Sequence, residues 1–313
     1  MRRHRLGATL ALLAALAAGP SPAANPGGEP ACTLQAAGTH AVVRVIDAET
    51  VLLDDTREVR LIGALAPRAP DMRPGADAWP PEAAAIEALH DLVHGRSVEL
   101  AHAGRRSDRY GRLLAHLFLD RNGERVWVQG ELLKAGHARA YGLPGSFTCM
   151  PEMLAHERVA RSAGTGLWSN GAYRTRSALR PGALMRYRNS YQVVEGRLAR
   201  VAPTKARTYL NFGADWRRDF TVGIDAGVLR ANPEWAKTLS ALEGRRIEVR
   251  GWIEYRNGPY IKIEDPNQVA VVEEGAPSTR PGGPTMSSGE SRDRRGAPKQ
   301  KRPAQSGPGA LDL

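Results

Sequence analysis

Hydrophobic positions in the first half of the chain alternate with a period of two over short stretches and follow a helical period over longer ones. Residues 41–68 contain alternating β segments joined by a polar turn at 54–56, and Pro67 ends the last strand because it cannot donate a ladder hydrogen bond. Further strands are predicted at 97–103 and 113–119, and helices at 81–95, 127–135 and 150–163. The order β-β-β-α-β-β-α favours an α+β fold built on a small closed barrel of the OB type.

A second β-rich pattern follows in residues 189–272. Strands are predicted at 193–201, 208–212, 219–224, 246–255, 260–264 and 269–272, with a helix at 233–242. This set predicts a second, OB-like barrel. The Arg-rich residues 169–188 are predicted to link the two barrels, residues 25–40 to form a flexible arm, and the Pro/Gly/Ser-rich residues 273–313 to form a disordered tail.

The first 24 residues have the pattern of a secretory signal peptide. Three arginines precede an apolar run at about 6–18, and small residues at 21–24 offer a cleavage site. No stretch reaches the roughly 20 apolar residues that a transmembrane helix needs. We therefore expect a bacterial protein that is exported to the periplasm or secreted, without a membrane span.

Two cysteines in an oxidising compartment favour a disulfide between Cys32 and Cys149. Such a bond would join the start of the first domain to its last helix. A lipid anchor on Cys32 is the disfavoured alternative, because polar residues precede it and the apolar run is distant.

The chain is basic, with 44 Lys and Arg against 33 Asp and Glu and a net charge of +11. Without residues 1–24 and 273–313 the count is 34 against 28, so the predicted folded part is basic on its own account. This excess favours an anionic partner such as nucleic acid. An equally weighted alternative is that the Arg-rich composition reflects genomic base composition.

Three ordered motifs carry a family resemblance. They are VIDAETV at 45–51, VRLIG at 59–63 and DRYGRLLA at 108–115. Residues 41–168 resemble the thermonuclease (staphylococcal nuclease-like) family, and LLKAG at 132–136 and GLW at 166–168 also match it. The resemblance implies a five-stranded OB barrel with three helices and a parent activity of calcium-dependent hydrolysis of DNA and RNA.

The resemblance also implies which residues form the site. Both arginines of the family site are present. Arg60 and Arg112 stand at the two arginine positions, where a planar guanidinium can bind phosphate oxygens. The motif's neighbouring residues Arg109 and Tyr110 are candidates for nucleic-acid binding, with loop stabilisation as the alternative.

The acidic half of the family site is changed. Glu49 takes the place of the first metal-binding Asp, Leu65 that of the second, and Arg68 that of the catalytic Glu. The matched positions therefore sum to +2 instead of the family's −1. Calcium takes six to eight oxygens and favours several negative charges. We expect lost or weak hydrolysis, no certain cofactor and at most a doubtful calcium.

Two acids keep alternative roles. Glu49 is as suited to an ion pair with Arg60 or Arg68 as to weak metal ligation, and Asp47 is favoured as a cap of the turn between strands over a metal ligand.

The second barrel is similar to small OB domains that follow some bacterial thermonuclease-like domains, and it lacks a catalytic motif. Aromatic and basic residues interleave there, as on surfaces where bases stack and phosphates pair with cations. Phe212, Phe220 and Trp252 are expected in the core. The candidates for an exposed nucleic-acid-binding face are Tyr209, Trp216, Arg250, Tyr255, Tyr260 and Lys262.

The sequence supports three hypotheses. The first is an exported protein that binds nucleic acid or another phosphodiester with little or no hydrolysis. The second is an active metal-dependent phosphodiesterase, whose metal would be held by Asp47 and Glu49 with Asp71 or Asp77. The third is a non-enzymatic interaction module of the cell envelope. The oligomeric state is left open.

Overall fold

The computed structural model describes residues 32–68 and 79–272. Its first part contains β1 (Gln35–Asp47), β2 (Thr50–Leu53), β3 (Glu58–Leu61), β4 (Gly63–Leu65), α1 (Pro80–Val93), β5 (Ser97–His102), β6 (Leu113–Arg121), β7 (Glu124–Trp127), α2 (Val128–Ala135), β8 (Arg139–Tyr141) and α3 (Met150–Ala163), followed by a 3-10 turn at Gly166–Ser169. The predicted helices are confirmed to within a few residues, and α3 has the predicted bounds. The predicted signal peptide and tail lie outside the described residues.

Five strands close a barrel in the order β3-β2-β1-β5-β6, because β3 also pairs with β6. The β3–β6 pairing is parallel, with Val59 opposite Leu113, and the other pairings between barrel strands are antiparallel. This closed barrel with surrounding helices confirms the predicted mixed α and β class. We call it the N-terminal barrel.

The first strand begins earlier than the sequence indicated. Residues 35–40, predicted to belong to a flexible arm, pair with β5, and Gln35 lies opposite His102. These residues lack an apolar alternation, which suggested a loop. Their pairing with β5 supplies backbone hydrogen bonds, and these cannot be predicted from residue composition.

The barrel core follows from strand alternation. Val42, Val51, Val59, Leu100 and Leu117 are fully buried in one apolar cluster. Two helices contribute to the same cluster: α2 buries Leu132 and Leu133, and α3 buries Met150 and Met153. Their apolar faces complete the core.

Cys32 and Cys149 form the predicted disulfide, with their Cα atoms 5.2 Å apart. Cys149 is the N-cap residue of α3 and is fully buried. The bond joins the segment before β1 to the start of α3, across 117 residues of sequence.

Residues 176–272 form a second set of strands, which we call the C-terminal β region. Its elements are β9 (Arg176–Ser177), α4 (Pro181–Leu184), β10 (Tyr191–Arg197), β11 (Arg200–Pro203), β12 (Arg207–Asn211), β13 (Thr221–Asp225), α5 (Ala226–Ala231), α6 (Pro233–Thr238), β14 (Arg246–Trp252), β15 (Glu254–Tyr255), β16 (Pro259–Ile263) and β17 (Val269–Val271), with 3-10 turns at Met185–Tyr187, Leu239–Leu242 and Pro266–Gln268. The predicted linker 169–188 contributes β9, which pairs in parallel with β10.

The C-terminal β region contains a four-stranded sheet, β17-β14-β10-β9, and a five-stranded sheet, β11-β12-β13-β16-β15. Strand β10 is separated from β11 by two residues, and β14 from β15 by one, so each pair of segments passes from one sheet to the other. The region has its own apolar cluster. The OB-type assignment of this region stays a prediction.

The two β systems contact each other through one face of β14. Glu248, Arg250 and Trp252 alternate along this strand and share that face. Glu248 pairs with Arg161 and Arg250 with Glu157, both on α3. Among the described residues, no helix is long and apolar enough to cross a membrane.

Candidate functional site

Strand pairing brings the motif residues together. Arg60 on β3 lies opposite Thr50 on β2, beside the turn that carries Glu49. Arg112 precedes β6, which pairs with β3, and Arg68 follows β4. Residues that are distant in sequence therefore meet at one end of the barrel. We call Arg60, Arg68 and Arg112 the arginine cluster.

Glu49 is the buried anchor of two of these arginines, with 2% of its surface exposed. Its Oε2 accepts hydrogen bonds from Nη2 of Arg68 at 2.9 Å and from Nη2 of Arg60 at 3.3 Å. Its Oε1 accepts the backbone N–H of Ala66 at 2.9 Å. Both carboxylate oxygens are thus occupied, and the ion-pair alternative for Glu49 is the one that the structure contains.

Arg112 is held by a second carboxylate. Oδ2 of Asp108 accepts Nε of Arg112 at 2.8 Å, and its Oδ1 accepts the backbone N–H groups of Tyr110 and Arg112. Burial by itself raises the pKa of Asp108, but these hydrogen bonds outweigh it and hold the pKa below its ordinary value. Gly111 takes a positive φ of 84°, which lets the chain turn and bring Arg112 back onto Asp108.

Asp47 orders the turn between β1 and β2. Its Oδ1 accepts the backbone N–H of Glu49 at 2.7 Å, and its Oδ2 accepts the hydroxyl of Thr50 at 3.2 Å. Nη1 of Arg112 donates to the same hydroxyl of Thr50 at 3.5 Å. Asp47 therefore has the predicted capping role and also connects the turn to the arginine cluster.

The arginine cluster keeps donors for an anion. A guanidinium has five N–H donors, and Arg60 and Arg68 each reach Glu49 through Nη2. Arg68 is the most open, with 57% of its side chain exposed. Arg109 lies beside the cluster and stacks on the exposed ring of Tyr110, 4.7 Å from its centroid. Three guanidiniums against the two anchoring carboxylates, Glu49 and Asp108, leave a positive site suited to phosphate.

The described residues do not fit a calcium ion at the family position. Leu65 is buried in β4, opposite Arg139, and its side chain has no oxygen to offer. Glu49 is occupied by guanidiniums, which repel a cation. Asp71 and Asp77 lie outside the described residues. Within the described part, His40, Asp54 and Asp55 do cluster, but Arg57 already bonds to His40 and Asp55 at this turn.

Comparison with known proteins identifies the first domain. The family model described as staphylococcal nuclease homologue matches residues 58–170. Residues 58–170 form a staphylococcal nuclease homologue domain. The thermonuclease of Staphylococcus hyicus is 27% identical over 135 residues, which cover 42% of this chain and 76% of that protein.

Two further relatives are similar to part of the chain. An uncharacterized endonuclease of Escherichia coli O157:H7 is 27% identical over 129 residues, 41% of this chain and 76% of that protein. An uncharacterized protein of Bacillus anthracis is 36% identical over 95 residues, 29% of this chain and 42% of that protein. Homology of the staphylococcal nuclease homologue domain associates the chain with phosphodiester chemistry of nucleic acids.

Two residues predicted to bind nucleic acid in the C-terminal β region are buried instead. Arg250 is 4% exposed because it packs against the staphylococcal nuclease homologue domain, where Nη1 and Nη2 donate to the two oxygens of Glu157 at 3.1 and 3.0 Å. Tyr260 is 1% exposed because its side chain crosses over Gly223 on the adjacent strand, and burial raises its pKa to about 12. Neither side chain is available to a ligand.

The other candidates of this region divide by exposure. Trp216 and Tyr255 are exposed as predicted, Tyr209 is half-buried, and Lys262 lies 3.5 Å from a carboxylate oxygen of Asp225. Phe212 and Phe220 are in the core as expected. Trp252, expected in the core, is 44% exposed because it ends β14 on the face turned away from the apolar cluster. The nucleic-acid role of the exposed residues stays a prediction.

Sequence patterns did not indicate the positions that Asp108, Glu157 and Trp252 take in the structure. Asp108 begins the quoted DRYGR motif, and its spacing of four residues from Arg112 was the available signal. Trp252 lies two residues from Arg250, so strand alternation places the two on one face. No local pattern marks Glu157, one of two acids on an amphipathic helix, because its partner Arg250 is 93 residues away.

Proposed function

We propose that this protein binds nucleic acid, or a related phosphodiester, through the arginine cluster, with hydrolytic activity that is lost or weak. The occupation of Glu49 by Arg60 and Arg68 carries the proposal. The one acid that remains at a matched metal or base position serves to hold phosphate-binding groups in place.

The chemistry of hydrolysis supports this view. Attack on a phosphodiester needs a cation to neutralise charge and a base to activate water, together with donors for the phosphoryl oxygens. Leu65 removes a ligand for the cation, and Arg68 replaces the base by a group that remains protonated. The donors Arg60 and Arg112 remain, and they suffice for binding.

Salt-dependent binding to single-stranded DNA tests the binding half of the proposal. We expect affinity that falls linearly with salt on a logarithmic scale, and Arg60→Ala and Arg112→Ala each to reduce the slope by about 0.7, the value for one lost phosphate contact. Arg57→Ala is the matched control, because Arg57 is on the same barrel but at the turn between β2 and β3. Absence of binding at low salt would contradict the nucleic-acid proposal.

Incubation of single-stranded DNA with the protein, in calcium or chelator, tests the hydrolytic half. We expect no calcium-stimulated cleavage. The relative named an endonuclease favours the alternative of an active phosphodiesterase, whose metal would be held by Asp47 and Glu49 with Asp71 or Asp77. Calcium-stimulated cleavage that disappears in Arg60→Ala would establish this alternative.

The proposal includes export to the periplasm or secretion. The apolar leader at 1–24 supports it, as does a disulfide, which persists in an oxidising compartment. Fractionation of cells that express the full chain tests it, because export predicts recovery outside the cytoplasm and retention inside would contradict it.

A further inference from the structure

Trp252 presents a partly exposed aromatic ring that is held in a fixed orientation. Its ring centroid lies 6.1 Å from that of Tyr191 and 6.4 Å from that of Tyr141, and both contacts are T-shaped. Tyr191 is buried, and its hydroxyl donates to the backbone oxygen of Ala140. Because two packed tyrosines fix the ring, its exposure of 44% belongs to a rigid surface and not to a free side chain.

Tyr141 connects Trp252 with the arginine cluster. Tyr141 is on β8 and lies opposite Gly63 on β4, three residues after Arg60. Burial raises the pKa of the Tyr141 hydroxyl, while a hydrogen bond with Trp252 and the charge of Arg60 act in the opposite direction. The ring of Tyr141 contacts Trp252, and its strand partner Gly63 lies on the segment that carries Arg60 and Arg68. Trp252 is therefore one aromatic ring away from the segment that supplies two residues of the arginine cluster.

This position distinguishes Trp252 from the other exposed tryptophan of the C-terminal β region. Trp216 is in the loop between β12 and β13, and the cation described at its ring is Arg217, 4.6 Å from the centroid. Trp252 instead contacts the staphylococcal nuclease homologue domain through Tyr141. An aromatic plane beside a cluster of guanidiniums is the combination that binds a base and its phosphate together.

We propose that Trp252 is a base-stacking subsite: a nucleobase stacks on its open face when the phosphate of the same strand is bound by the arginine cluster. This inference rests on the proposed function. It assigns part of the ligand site to the C-terminal β region, which lies beyond residues 58–170. Stacking is tolerant of base identity, so we expect the subsite to add affinity and little sequence preference.

Paired probes separate stacking from phosphate binding. The full chain is titrated with a short oligothymidylate and with an abasic oligonucleotide that has the same number of phosphates. We expect Trp252→Leu to weaken binding of the oligothymidylate by about tenfold and to leave binding of the abasic probe unchanged. Arg60→Ala should weaken binding of both probes, and Trp252→Phe should restore most of the affinity lost in Trp252→Leu.

Trp216→Ala is the matched control, because it removes an exposed tryptophan whose described ring contact is within its own loop. Equal losses in Trp216→Ala and Trp252→Leu would overturn the proposal in favour of a dispersed aromatic surface. Unchanged binding of the oligothymidylate in Trp252→Leu would overturn it while the proposed function stands. If the wild type binds neither probe, both the subsite proposal and the proposed function are wrong.

Photocrosslinking of the wild-type protein gives a measurement that does not depend on a variant. An oligonucleotide with one 5-iodouracil is irradiated in complex with the full chain, and the crosslinked peptide is identified by mass spectrometry. We expect the crosslink at Trp252. A crosslink confined to Tyr110 or Trp216 would contradict the assignment.

Discussion

At the scale of single residues, the role of Glu49 depends on what its neighbours have become. A buried carboxylate is unstable unless it is paired or hydrogen-bonded. With acids at positions 65 and 68, a cation would have to supply that pairing. Here Arg60 and Arg68 supply it together with the backbone of Ala66, so the same carboxylate is satisfied without a metal.

Restoration of the two lost acids should restore a cation site. The double variant Leu65→Asp/Arg68→Glu places two carboxylates near Glu49 and removes one of its cationic partners. We expect calcium to raise the melting temperature of this variant, because a ligand that binds only the folded state stabilises it. Calcium should leave the melting temperature of the wild type unchanged.

The control for this experiment is Arg105→Glu, which makes the same charge change as Arg68→Glu on the exposed loop between β5 and β6. A calcium response of the wild type equal to that of the double variant would show that other residues already form a cation site.

The family motifs assigned Arg60 and Arg112 to one site, and the ion pair of Glu49 was one of two alternatives that the sequence left open. The structure brings these residues together because β2 pairs with β3 and β3 with β6.

The sequence pattern did not predict that Arg250 and Tyr260 are buried. Interleaved charge and aromaticity identify a strand with two different faces. The burial of Arg250 against Glu157 and of Tyr260 over Gly223 depends on residues far away in sequence.

At the scale of elements, β14 has two buried faces of different character. Ile247 and Val249 point into the apolar cluster of the C-terminal β region. Glu248 and Arg250 point toward α3 and form a network with Glu157 and Arg161. The strand was predicted from its alternation, whereas its function as an interface between two β systems required the structure.

Because Glu157 and Arg250 are a buried ion pair, we expect a single substitution of either residue to lower stability strongly. Arg250→Ala leaves Glu157 buried without this partner, and we expect a loss of about 3–5 kcal/mol in the free energy of unfolding. Urea unfolding measures it. Arg246→Ala is the control, because Arg246 is on the same strand but pairs with Glu195 at the surface, and its loss should be below about 1 kcal/mol. Equal losses in the two variants would contradict the importance of the interface network.

At the scale of the whole molecule, the disulfide constrains the unfolded chain. The bond between Cys32 and Cys149 closes a loop of 117 residues, for which the chain-entropy model gives about 4–5 kcal/mol. We expect reductant to lower the free energy of unfolding of the wild type by about 4–5 kcal/mol. The variant Cys32→Ser/Cys149→Ser should be as unstable as the reduced protein and insensitive to reductant; a wild type that reductant leaves unchanged would contradict this.

The contact between the two β systems should also make stability depend on pH. Burial by itself raises the pKa of Glu248, but the charge of Arg250 and the hydrogen bond from Arg161 outweigh it and lower the pKa from 4.5 to about 2. A carboxyl whose pKa is lower in the folded state contributes stability above its unfolded pKa and loses it as pH falls. The contribution of Glu248 should therefore be complete above about pH 4.5 and disappear progressively toward about pH 2.

Glu248→Gln isolates this contribution, because the amide does not titrate. We expect the variant to be less stable than the wild type near neutral pH and to lose less stability between about pH 4.5 and about pH 2, measured by urea unfolding. Glu234→Gln is the control: Glu234 pairs with Lys237 on an exposed face of α6, so its pH profile should follow the wild type. If stability falls with pH in parallel for the wild type and Glu248→Gln, Arg161 and Arg250 do not hold this carboxylate ionised. The interface would then lack the electrostatic coupling that its geometry indicates.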